Sequence, residues 1–146
     1  ILPPIESAVG ALPNIDLGAI REKKIAEVTT RPNQAKFRKL ILQNHAHRCL
    51  LTGEVVKDVL DACHIIAVSD GGKDSVDNGL CLRKDIHTLF DRGKIRVSDA
   101  GKVRLSPDLE QSPTYQYLPQ NVSIPDNVNK EFLRKRFNYG KGIATI

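Results

Sequence analysis

Methionine is absent from all 146 residues, and the chain begins at Ile1. That predicts a processed product or a piece of a longer polypeptide, with a recognition or regulatory domain still to be accounted for. No apolar run approaches the roughly 20 residues that a membrane helix needs. Ile1-Leu2-Pro3-Pro4 has neither the basic start nor the long apolar block of a secretory signal. A soluble, cytoplasmic protein with no membrane partner is therefore expected. Cysteine is scarce: Cys49, Cys63 and Cys81 are an odd number at spacings of 14 and 18. This excludes a disulfide scaffold and the paired C-x-x-C of a zinc ribbon, so the three are expected to be reduced and buried as small hydrophobes. There is no Walker-type phosphate loop, internal repeat or low-complexity tract, and Gly71-Gly72 is ordinary loop composition.

With 40% apolar residues the chain can bury one core, and at 146 residues it is too short for two ordinary domains. The net charge is +5 and the pI near 9.2. Such a surface attracts phosphate backbones, yet proteins with no nucleic-acid partner share it, so charge alone decides nothing.

Along the chain, Pro3, Pro4, Pro13 and Gly10 predict an extended arm over residues 1–30, with a short helical pattern at Ile20, Ile25 and Val28 that ends before Arg31-Pro32. From Asn33, the spacing of Phe37, Leu40, Ile41 and Ala46 predicts an amphipathic helix with Gln34, Lys36, Arg38 and Lys39 on its other face. Cys49 to Gly53 is expected to be a strand entering a turn, and the β-branched Val55 to Val68 a strand. After a loop at Ser69 to Ser75, Leu80-Cys81-Leu82 forms a second strand, and Lys84 to Phe90 a helix stopped by Gly93. Lys94 to Ser98 and Lys102 to Ser106 flank Asp99-Ala100-Gly101, a hairpin with one cationic face formed by Lys94, Arg96, Lys102 and Arg104. A Pro-containing stretch over 107–125 precedes a last helix near Val128 to Phe137, with Lys130, Arg134, Lys135 and Arg136.

The densest chemistry lies in Asp61-Ala62-Cys63-His64-Ile65, Asn78-Gly79-Leu80 and His87-Thr88-Leu89-Phe90-Asp91, with His87 nine positions after Asn78. Taken singly, His64 would be a core histidine, Asn78-Gly79 a turn, and His87 with Asp91 a helix-end pair. The ordered set, with its flanking residues, resembles the HNH endonuclease family, and in particular a restriction-type subfamily with the patterns A-x-H-I, N-G-L and H-x-L-F-D. Upstream, Gln34, Phe37, Arg38 and Ile41, followed by Arg48-Cys49 and Thr52-Gly53, look like the helix and strand that precede this domain. The resemblance covers roughly residues 31–98, about half the chain. It implies an α+β fold, a ββα-metal core with flanking helices and an added β-hairpin. The nuclease domain would span 31–106, followed by a C-terminal extension over 107–146.

The resemblance implies His64 as general base, Asn78 as the brace that orients it, and His87 as primary ligand of one divalent ion (Mg, Mn, Ni or Zn). Asp91, four residues on along the helix, is the expected second ligand. The residue before the base is commonly a ligand in the family and is Cys63 here, which leaves the metal open. Asp61 shares its strand parity and ranks below Asp91 as an alternative ligand. His45, His47 and Cys49 form an H-x-H-x-C run better explained as cations favoured at a helix C-terminus than as a zinc site. Expected phosphate contacts are Arg83, Arg92, Lys94, Arg96 and Arg104. The leading expectation is a metal-dependent DNA endonuclease of restriction or defence type. A delivered nuclease toxin and a silent DNA-binding module stay open, as does a homodimer.

Overall fold

A computed structural model gives the structure of residues 33–139. The expected N-terminal arm, with its short helix, lies outside those residues. Helix α1 spans Asn33–Asn44. It buries Phe37, Ile41 and Leu42, whereas Leu40 and Ala46, expected on the apolar face, are exposed. The buried stripe follows the four-residue spacing 37, 41, 45, so position 40 falls on its edge. The helix stops where Ala46 and His47 take left-handed φ values of 54° and 55°, and the His47 N–H closes back onto the Leu42 carbonyl at 2.7 Å.

Strand β1 (Leu60–His64) pairs antiparallel with β2 (Gly79–Arg83), Leu60 opposite Arg83 and His64 opposite Gly79. The strand is much shorter than the β-branched run from Val55 implies. The Glu54 carboxylate instead accepts the N–H groups of Val55 and Val56 at 2.9 and 3.2 Å, and Lys57–Val59 forms a 3-10 turn. Val55 and Val56 stay exposed, since β propensity is realised only where a partner strand supplies packing. Cys49 to Gly53 likewise forms turns rather than a strand, with the Gly53 N–H on the Cys49 carbonyl.

The two faces of this hairpin carry different helices. On the 60/62/64 side sits α1, whose Phe37 ring stacks on the His64 ring. On the 61/63 side sits α2 (Lys84–Asp91), whose His87 bonds Asp61. Gly79 makes the first packing possible. A Cβ there would lie 2.3 Å from Ile41 Cδ1 and 2.9 Å from Phe37 Cζ. Helix α2 buries Ile86 and Phe90 and ends at Gly93, whose φ of 73° suits a residue without Cβ.

Strands β3 (Ile95–Val97) and β4 (Val103–Leu105) form the second hairpin, Arg96 opposite Arg104. A one-turn helix α3 (Pro107–Glu110) follows, and residues after it return to β4 through the Lys102–Asn121 bridge. Helix α4 spans Lys130–Tyr139, two residues later than its apolar pattern suggests. Asn129 sets the start: its Oδ1 accepts the N–H groups of Glu131 and Phe132, an N-cap that satisfies two otherwise orphaned donors. Phe37, Ile41, Leu60, Leu80, Leu82, Ile86, Phe90, Ile95, Val97 and Leu133 share one core, each contributing about 1.5–3 kcal/mol by burial. All three cysteines are free and buried, as expected.

Candidate active site

His64 ends β1, where the chain leaves the hairpin for the 66–77 connection. Its ring lies 4.2 Å from that of Phe37 at an interplanar angle of 5°, which fixes the plane of the imidazole. Its Nε2 is 2.7 Å from Asp74 Oδ1. A carboxylate only accepts, so the Nε2 position carries the proton and the lone pair lies on Nδ1. Nδ1 bonds no group among the described residues. Asn78 is buried and fully used: its Oδ1 accepts the Ile66 N–H at 2.8 Å, and its Nδ2 donates to the carbonyls of Ile66 and Lys73 at 3.0 and 2.9 Å. It thus cross-links both ends of the loop that carries Asp74.

On the other face, His87 projects from α2 among two carboxylates and a thiol. Its Nδ1 lies 2.9 Å from Asp61 Oδ2 and its Nε2 3.1 Å from Asp91 Oδ2. The Cys63 sulfur completes the group: donor atoms of Cys63, His87 and Asp91 lie within 4.8 Å of one another. With acceptors at both nitrogens, the ring holds both protons. Asp91 first, then Cys63 and Asp61, push it up to about 11 against the opposing effect of burial. Burial pushes the Cys63 thiol up, an effect that His87 partly offsets. Burial would also raise the Asp61 carboxyl, but Lys84, at 2.7 Å, and His87 hold it below its ordinary value.

Residues 49–98 match the model of a protein family described as HNH endonuclease. This segment belongs to the HNH endonuclease family. The fold also resembles a solved structure, the modification-dependent TagI restriction endonuclease, at 24% identity and a TM-score of 0.53. That likeness covers 68% of this chain but 35% of that one, so the chain spans about a third of its length. No curated protein matches. The matched segment contains His64, Asn78 and His87, the residues that the sequence pattern puts forward.

The donor set of this HNH site fits one divalent ion. The proton on His87 Nε2 already places positive charge between Asp91 and Cys63, and a metal ion would take over that place. A thiolate, an imidazole and a carboxylate together suit zinc or another borderline ion better than magnesium. Asp61, expected as an alternative ligand, occupies a different position. It holds the far nitrogen of His87 at 2.9 Å, where it would fix the tautomer in which Nε2 faces a metal ion. Cys63, expected as a buried small hydrophobe, stands with His87 and Asp91 as a candidate third donor.

The expected DNA contacts divide sharply. Arg83 is bound to Asp85 by two bonds of 2.6 and 2.8 Å, and Lys94 is paired with Asp108. Arg96 donates from Nη1 to the Phe137 carbonyl at 2.7 Å, while its Nε and Nη2 are enclosed without a partner. Arg96 therefore faces α4, not solvent, which removes it from the cationic face expected of the hairpin. Arg92 and Arg104 are exposed, with no side-chain partner among the described residues. His45 is buried, its Nε2 3.4 Å from the Gly79 carbonyl, and burial lowers its pKa, which suits a packing role. Two site neighbours had no marker in the sequence: Asp74 is one acid within a loop, and Arg136 lies 45 residues beyond Asp91.

Proposed function

We propose that this chain is a metal-dependent endonuclease domain that hydrolyses phosphodiester bonds of DNA, and that it serves a bacterial restriction or defence nuclease in the cytoplasm. The observation that carries this reading is the pairing of adjacent residues with opposite tasks: His64, oriented by Asp74, and Cys63, gathered with His87 and Asp91. In the reaction, His64 accepts the proton of the attacking water at Nδ1. Asp74, on Nε2, stabilises the imidazolium that forms. Phe37 keeps the ring from rotating, and Asn78 keeps the loop under Asp74 in place. Cys63, His87 and Asp91 would hold the ion, with Asp61 orienting His87. Once bound, the ion supplies positive charge that stabilises the phosphate and the leaving oxygen as charge develops.

Supercoiled plasmid incubated with Mg, Mn, Ni or Zn, with a chelator control, tests the proposal. Relaxation and linearisation that require a metal and disappear in His64→Ala are expected. DNA bound but uncut under every metal condition would instead favour a silent DNA-binding module.

A further inference from the structure

A cavity of about 770 Å³ opens between the β1–β2 connection and α4, its wall including Ile65, Gly72, Lys73, Phe132, Lys135 and Arg136. Arg136 belongs both to this wall and to the surroundings of the histidine–acid cluster. Its side chain is only 9% exposed. Nη2 donates to the Phe90 carbonyl at 3.1 Å and lies 3.5 Å from Asp91 Oδ1, and the guanidinium carbon stands 4.8 Å from the centre of the Phe90 ring. One edge of the guanidinium is thus fixed against the C-terminal turn of α2. Nε and Nη1 donate to nothing among the described residues, and neither is sealed from solvent. A guanidinium carries five donors in a rigid fork that matches phosphate oxygens, so this arrangement presents unmet donors in a set direction. Arg96 is the opposite case, with unmet donors that nothing can reach. Lys73 and Lys135, both exposed and in no close ion pair among the described residues, add charge to the same wall. Of the two carboxylates there, Asp77 is engaged by Ser75 and Asn129, and Asp70 is exposed.

We propose that Arg136 is a phosphate-binding residue of the nuclease site: its free donors take the oxygens of one backbone phosphate of a DNA strand lying along this cavity. The inference rests on the nuclease reading and adds to it a residue of α4, which lies outside residues 49–98.

A duplex carrying a site mapped from plasmid cleavage tests it, with single neutral methylphosphonates walked across the cut position. Wild type, Arg136→Met and Arg136→Lys are compared by binding and by kcat/KM, with folding checked by thermal melting. At one phosphate position, neutralisation should cost wild type roughly 10- to 100-fold. Arg136→Met should lose as much on unmodified DNA and nothing more at that position, the non-additivity expected of groups in contact. Should Arg136→Met fail to fold, the same cycle is run with Arg136→Lys, which keeps the charge but not the fork. Losses that add independently at every position would overturn the proposal while leaving the nuclease reading intact. A wild type that neither binds nor cuts DNA would overturn both.

Discussion

A histidine works as a base only when one ring nitrogen is held and the other is open, and Asp74 supplies the hold for His64. His64→Ala should lower kcat by about 10²–10⁴ with DNA binding and folding intact. Asp74→Asn should fall in the same direction, since the amide removes the stabilising charge and can donate to Nε2, moving the proton to Nδ1. Its metal affinity should be unchanged; single-turnover cleavage alongside calorimetric metal titration separates the two effects. At the ion site, His87→Ala should weaken metal binding most. Asp61→Asn should weaken it about 10- to 100-fold through the orientation of His87. The pH dependence has a definite sign. His87 is pushed up to about 11 and Cys63 is raised as well, so both keep their protons at neutral pH in the free protein. An ion that binds both must displace both protons, and apparent affinity should rise by about two log units per pH unit between pH 7 and 9. Cys63→Ala should halve that slope. Affinity indifferent to pH would remove both groups from the ligand set.

Between elements, the decisive contact is α1 on the β1–β2 hairpin. Gly79 lies in an extended strand, so its requirement is close approach, not backbone freedom. Gly79→Ala should cost about 1–3 kcal/mol by overpacking Ile41 and Phe37. It should also depress kcat, because the displaced ring is the one stacked on His64. Chemical denaturation and cleavage assays read the two effects, and an alanine variant of wild-type stability would contradict the packing account. Arg38, on the polar side of α1, donates to the Leu60 and Lys57 carbonyls and so anchors the helix to the start of β1. Nothing in its sequence position distinguished it from Lys36 and Lys39, which are exposed.

For the molecule as a whole, basic excess is a poor guide to the DNA path, because much of it is spent internally. Arg92→Ala with Arg104→Ala should weaken binding to all sequences alike and reduce the slope of log affinity against log salt by about two. Arg96→Ala should leave that slope untouched, since its guanidinium faces α4. A slope that moved only with Arg96 would reverse this assignment. The sequence by itself determined the order His64, Asn78, His87 with its flanking residues, the helix that begins right after β2, and the hairpin around Asp99-Ala100-Gly101. Those features rest on local signals: apolar period, glycine at turns, and spacing along one element. Only the tertiary structure decided that Cys63 joins His87 and Asp91 while Asp61 takes the opposite nitrogen, that Asp74 holds His64, and that Arg136 reaches Asp91. Each of those contacts joins side chains from separate elements, and their meeting is set by how α1, α2 and α4 pack around one core, a property that no spacing along the chain encodes.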